Sequence, residues 1–254
     1  MLSYSIGADF WELDVHLSED GVPVVIHDPT LTRTSDAQRA APTRSPWRVS
    51  EFTLADLDRL DVGATPPDPA SREDLLLTIL QGAEDPESDT RHRIPTLRQA
   101  FLLTKAFDWL VNVEIKWDDD QLTALTEQTV RLVLETGMLG RVHISSFDEE
   151  TILRAKTLEP RITTGIITKT PFSDPVAAVR RLGADAFHPK ASLVTEEDVR
   201  RCAEAGIPVI VWTVNEPEEM ERFADLGVFG IITDRPHVLV HLKKRREARQ
   251  GNRP

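Results

Sequence analysis

TEEDVRRCAEAGIPVIVWTV, residues 195–214, decides the fold. Thr195 is a helix N-cap, Glu196, Glu197 and Asp198 fill the first turn where negative charge is favoured, and Gly206 stops the helix. The apolar run Pro208 to Val214 that follows is too short for a helix and has the composition of a buried strand. The same alternation extends outward in both directions. Short apolar runs occur at Phe10 to Val15, Trp109 to Ile115, Val142 to Phe147, Ile162 to Ile167, Ala184 to Phe187 and Phe229 to Thr233. Helix-like stretches at 121–136, 148–158, 174–182 and 216–226 fall between them. Strands separated by helices predict an α/β fold with a parallel sheet covered on its faces.

The strand ends carry the polar residues: Glu12 and Asp14, Glu114 and Lys116, Ser145 and Ser146, His188 and Lys190, Trp212 and Asn215, and Asp234. A doubly wound sheet gathers function at one switch point, whereas a barrel brings every strand end to one mouth. Polar tips on so many strands favour a TIM (β/α)8 barrel. The count reaches seven units where such a barrel closes with eight. Val22 to Ile26 does not supply the eighth, because only Ser18-Glu19-Asp20-Gly21 separates it from the first strand; it reads as the return arm of a hairpin. Met1 to Ile6 resembles the last turn of a helix, so the expectation is a barrel whose first βα unit is missing. Residues 1–242 form one barrel domain, with a Pro-rich, acidic insertion at about 35–96 placed as a loop near the mouth. The basic stretch 243–254 is expected to be a frayed, solvated tail.

Composition narrows the function. Lys plus Arg number 30 against 42 Asp plus Glu in 254 residues, a net charge of -12, which repels phosphate backbones and argues against nucleic-acid binding. No apolar run approaches the ~20 residues of a membrane span. The single cysteine, Cys202, excludes a disulfide framework within the chain and a CxxC zinc site. The first residues lack the basic-then-apolar pattern of a secretion signal, so a cytoplasmic location is expected.

Glu12 and Asp14 stand two apart on a strand, so both carboxylates project to one face. Adjacent acids repel unless a cation lies between them, and Glu114 tips another apolar strand, Val111-Asn112-Val113-Glu114-Ile115-Lys116, in the same way. Three carboxylates at one mouth suit a hard divalent ion such as Mg²⁺ or Ca²⁺. His27, ending Val-Pro-Val-Val-Ile, is folded back over the first strand and is a candidate general acid or base, the alternative being a turn histidine satisfied by Asp28. Lys116 shares a face with Glu114 and either stabilises charge on a phosphoryl oxygen or simply pairs with Glu114. Trp212 is a rim aromatic for a ligand or a core tryptophan. His16 shares a face with Asp14 without a readable role. His143, Ser145 and Ser146 share a strand end without an acid–His–nucleophile pattern.

Gly7-Ala8-Asp9-Phe10-Trp11-Glu12-Leu13-Asp14-Val15, followed by Ser18-Glu19-Asp20-Gly21-Val22-Pro23-Val24-Val25-Ile26-His27-Asp28, resembles the glycerophosphodiester phosphodiesterase family. Leu31-Thr32-Arg33-Thr34, Ile94-Pro95-Thr96-Leu97, Asn112 to Lys116, Ser145-Ser146-Phe147, Val211 to Asn215 and Gly230 to Pro236 continue the likeness in order. The resemblance implies a metal-dependent TIM-barrel hydrolase that cleaves a small-molecule glycerophosphodiester to glycerol 3-phosphate and an alcohol. It implies one divalent cation on Glu12, Asp14 and Glu114, His27 as one of two acid/base histidines, and Lys116 and Trp212 at the substrate. The family's opening His-Arg-Gly strand, source of the other histidine and an arginine, has no counterpart in these residues. An inactive barrel that binds metal and phosphodiester, and a phospholipase acting on lysophospholipids, are the rival readings.

Overall fold

The computed structural model describes residues 2–63, 92–116 and 121–251. Strand β1 (Phe10–Leu17) turns through Ser18–Val22 onto the antiparallel β2 (Pro23–Val25), pairing Val15 with Val25 and Leu17 with Pro23. The turn is fixed locally. The Ser18 hydroxyl accepts from the Val22 amide at 2.9 Å and donates to Asp20 at 2.7 Å, and Gly21 takes φ +80°, where a side chain would be strained. This is the hairpin expected from the four-residue spacing.

On the other side of β1 run β3 (Leu110–Ile115), β4 (Val142–Ser146), β5 (Thr163–Thr168) and β6 (Ala186–Pro189), all parallel. β7 (Ile210–Val211) and β8 (Gly230–Ile231) pair with each other, and the bridges Phe187–Val209 and Lys190–Trp212 join β7 to β6. Among the described residues seven parallel strands therefore curve from β1 round to β8, one for each apolar run in the sequence. Among the described residues no ladder joins β8 to β1. A groove of about 340 Å³ separates them, lined by Phe10, Trp11 and Glu12 on one wall and Ile231 to Asp234 on the other.

The helices are α1 (Leu2–Ile6), α2 (Ala37–Ala40), α3 (Leu54–Leu57), α4 (Leu97–Ala106), α5 (Leu122–Glu135), α6 (Glu149–Leu158), α7 (Pro175–Leu182), α8 (Glu196–Glu204), α9 (Pro217–Leu226) and α10 (Pro236–Gly251). Their ends carry the signals the sequence shows. Thr195 and Asp198 form a reciprocal capping box, as do Thr96 and Gln99, while Asp148 and Asp174 cap α6 and α7. One core packs α4 and α5 on β1, β3 and β4 around Leu13, Val15, Phe101, Val113, Ile115 and Val133. A second packs the later helices on β5 to β7 around Ile166, Val199, Val211, Met220 and Phe223.

Residues 64–91 of the expected insertion lie outside the described residues. The part before them packs on the β1–β2 hairpin through its own cluster, including Val24, Leu31, Val49, Phe52 and Leu57. The Glu19 amide donates to the Phe52 carbonyl, and the Leu54 amide to Asp20. The basic tail differs from expectation. Residues 243–251 continue α10 instead of fraying, because Leu242 is buried and Lys243 and Arg246 pair with Asp9 and Asp225, each at 2.6 Å. Residues 252–254 are outside the described residues.

Candidate active site

The parallel register sets Asp14 beside Glu114 and Glu12 beside Asn112. One carboxylate oxygen from each of Glu12, Asp14 and Glu114 lies within 4.8 Å of the others. Lys116 closes the group, its Nζ donating to Asp14 Oδ1 at 2.7 Å and Glu114 Oε1 at 2.6 Å. The ammonium satisfies two of the acids and leaves the third. Glu12 Oε1 is buried without a hydrogen-bond partner. Burial, reinforced by the charges of Asp14 and Glu114, pushes the Glu12 carboxyl up to about 9, so without a further cation it holds a proton at neutral pH. Burial also raises Glu114, opposed by Lys116. Burial disfavours the Lys116 charge, but Glu114 and Asp14 outweigh it and hold the ammonium above its ordinary value. Three hard oxygen donors with one buried oxygen unsatisfied fit a divalent ion of the Mg²⁺ or Ca²⁺ kind.

These residues line a cavity of about 280 Å³ with His27, Asn112, Phe147, Lys169, His188, Trp212 and Asp234. His27 extends from the loop after β2 with 66% of its side chain exposed, and its Nδ1 lies 2.6 Å from Asp28 Oδ1. Asp28 is gripped in turn by Arg33, Nε to Oδ2 at 2.6 Å and Nη2 to Oδ1 at 2.9 Å. Those bonds, the Arg33 ones first and the His27 one after, hold the Asp28 carboxyl down at about 2. Asp28 thus holds the His27 ring through Nδ1, the contact the turn-histidine reading expects, while His27 also lines the cavity. Sequence reasoning did not single out Arg33 in this role. The five-residue spacing to Asp28 falls in an irregular segment, where no periodicity signals the contact.

Trp212 reaches the cavity rim after β7. Its indole N–H donates to the His188 carbonyl at 2.9 Å, and its ring meets Phe147 edge to face with centroids 5.6 Å apart. His16 is not at the mouth: it is buried, with Nε2 3.3 Å from the His27 carbonyl oxygen. His143 and His188 stack at 5.0 Å between ring centroids, their Nε2 atoms 3.1 Å apart, and His143 Nδ1 meets Thr163. Burial pushes His143 down to about 4 and His188 well below its ordinary value, so the pair is neutral with one ring donating to the other. Ser146 donates to the Ile115 carbonyl and the Ser145 hydroxyl has no partner, so neither serine is paired with a histidine.

An α/β barrel that gathers an acid cluster, a lysine and a histidine at its strand ends has the architecture of a barrel hydrolase. Residues 1–238 match the glycerophosphoryl diester phosphodiesterase family, and the chain belongs to it. A glycerophosphodiester phosphodiesterase of Caldanaerobacter subterraneus is 33% identical over 240 residues, covering 94% of this chain and 88% of that one. A Bacillus subtilis enzyme of the same name is 28% identical, covering 93% and 77%. Among solved structures, an Oleispira antarctica phosphodiesterase in complex with the product sn-glycerol-3-phosphate superposes with a TM-score of 0.75 at 22% identity, over 94% of this chain and 86% of that one. A Parabacteroides distasonis glycerophosphodiester phosphodiesterase gives 0.74 at 21%, over 96% and 87%. At these identities the structural likenesses show the fold. Among the described residues no helix is long and apolar enough to cross a membrane.

Proposed function

We propose that this chain hydrolyses glycerophosphodiesters to glycerol 3-phosphate and an alcohol, with Glu12, Asp14 and Glu114 holding one divalent cation, Mg²⁺ or Ca²⁺. The observation that carries the reading is the carboxylate triad with its orphaned Glu12 oxygen, flanked by Lys116 and His27 in one cavity. The bound cation would neutralise the phosphodiester and polarise the oxygens it touches. In the reaction a glycerol hydroxyl attacks phosphorus, the alcohol leaves, and water opens the resulting cyclic phosphate. His27, with Nδ1 fixed by Asp28, uses Nε2 to move a proton to or from the reacting oxygens. Lys116 is placed to stabilise negative charge on the phosphoryl oxygens, and Asp28 and Arg33 are positioning residues for His27. Trp212 lies against the apolar side of the substrate.

One observation favours a second reading, in which the barrel binds metal and phosphodiester without turnover. Of the two histidines lining the cavity, His188 is committed to His143 and held neutral, which leaves His27 to serve both proton transfers. The experiment is glycerol 3-phosphate release from glycerophosphocholine and glycerophosphoglycerol, measured after chelation and again after adding Mg²⁺ or Ca²⁺. Release restored by a cation is expected. Saturable, cation-dependent binding of both diesters with no release would select the second reading, and neither binding nor release would sink both.

A further inference from the structure

The cavity has a charged side and an aromatic side. On the second, Phe147 follows β4, Lys169 follows β5 and Trp212 follows β7, so three strand tips converge on one corner. The Lys169 ammonium lies 4.5 Å from the Phe147 ring centroid, and Trp212 abuts that ring edge to face, its own orientation set by its bond to the His188 carbonyl. An aromatic corner of this kind attracts cations, and a quaternary ammonium is its usual ligand. Here the place over Phe147 is held by the protein's own cation.

Lys169 differs from Lys116 in how its charge is used. The Lys116 ammonium is shared between two carboxylates, whereas Lys169 has no carboxylate partner among the described residues and is exposed at the cavity wall. Its charge is directed at whatever fills the aromatic side. A cationic head group entering there meets like charge beside the ring it would bind, while an anionic one gains a charge-assisted hydrogen bond.

We propose that Lys169, braced by Phe147 and Trp212, is a specificity-determining residue that selects diesters whose leaving alcohol carries a phosphomonoester and disfavours those ending in a quaternary ammonium. The inference rests on the phosphodiesterase reading above: with the phosphodiester held on the charged side by the triad, Lys116 and His27, the leaving alcohol fills the aromatic side. It goes beyond that reading in naming the alcohol's class.

The test uses the full chain with saturating Mg²⁺ and two non-hydrolysable methylene-phosphonate analogues, one of glycerophosphocholine and one of a glycerophosphodiester of glycerol phosphate. Binding is measured by calorimetry, and turnover of the two natural diesters in parallel. The wild-type chain is expected to bind the phosphorylated analogue about tenfold more tightly, as one charge-assisted contact supplies. Lys169→Met keeps the apolar stem and is expected to reduce the preference to within about twofold, with Lys169→Arg retaining it. Equal affinities in the wild-type chain, tighter binding of the choline analogue, or a preference that survives Lys169→Met overturns the assignment, as does failure of both analogues to bind. A Lys169-dependent preference without turnover would instead select the binding-only reading, with Lys169 still choosing the end group of the bound diester. Turnover without preference would do the reverse.

Discussion

Loading the carboxylate triad with a divalent ion should expel a proton, and the stoichiometry follows from Glu12. With its carboxyl pushed up to about 9 by burial and by Asp14 and Glu114, Glu12 is ionised in only about 3% of molecules at pH 7.5. A carboxylate must ionise to hold the ion, so close to one proton leaves for each Mg²⁺ bound. Apparent affinity should therefore climb about tenfold per pH unit from pH 6 to 8.5 and level off near pH 9. The sign reverses in the cation-free protein. There the folded chain keeps a proton that the unfolded chain sheds above its ordinary 4.5, so Glu12 makes the free protein less stable as pH rises from 4.5 towards 9. Titrating Mg²⁺ calorimetrically at pH 7.5 in buffers of different ionisation enthalpy gives the number of protons released as a slope. Glu12→Gln should bring that slope to zero and remove the pH dependence of binding. A slope near zero in the wild-type chain, or an affinity flat from pH 6 to 8.5, would refute the reasoning.

Lys116→Met removes the ammonium that bridges Asp14 and Glu114, so cation affinity should rise about tenfold while kcat falls by about 10² or more, two readouts moving in opposite directions. Asp28→Asn should loosen His27 and lower kcat by about 10- to 100-fold with KM and thermal midpoint little changed, since the pair is on the surface. Gly165→Ala would put a Cβ 2.5 Å from His188 Nε2 and 2.6 Å from His143 Nε2. Overpacking plus a broken buried hydrogen bond should cost about 3–5 kcal/mol in chemical denaturation. Because His143 is held neutral down to about 4 while an unfolded histidine protonates near 6.5, stability should fall as pH drops through that window, by up to about 3 kcal/mol. His143→Gln should reduce the loss by that share and leave the part due to His188.

Much of this site was legible because strands advertise their faces. Glu12, Asp14, Glu114 and Lys116 sit at two-residue spacing within apolar runs, and a two-residue period needs no tertiary information to interpret. The Thr195 cap and the Ser18–Gly21 turn were readable for the same reason: each is a local contact within four residues. The Arg33–Asp28 clamp was not, because it depends on how an irregular segment folds over the mouth, and the Lys169–Phe147 contact was not, because it needs the pairing and register of β4 against β5. The stacked histidines lie 45 residues apart on strands that are not neighbours, and β5 runs between them. One signal did point there. Gly165 is an isolated glycine inside Thr-Thr-Gly-Ile-Ile-Thr, and such a glycine marks a close approach by something else. The helical continuation past Leu242 was hidden by composition, since a run of Lys and Arg reads as solvated until Asp9 and Asp225 are placed beside it.

The three acids and the aromatic corner stand on different parts of the sheet. Glu12, Asp14 and Glu114 sit on β1 and β3, which pair with each other from Phe10–Leu110 to Val15–Ile115, so one ladder sets their mutual spacing. Trp212 and Asp234 follow β7 and β8, which are tied to β6 through short pairings. The ion's grip and the width of the mouth are thus set by separate ladders, so substitutions along β7 and β8 can change the size of alcohol admitted without changing the strength of metal binding.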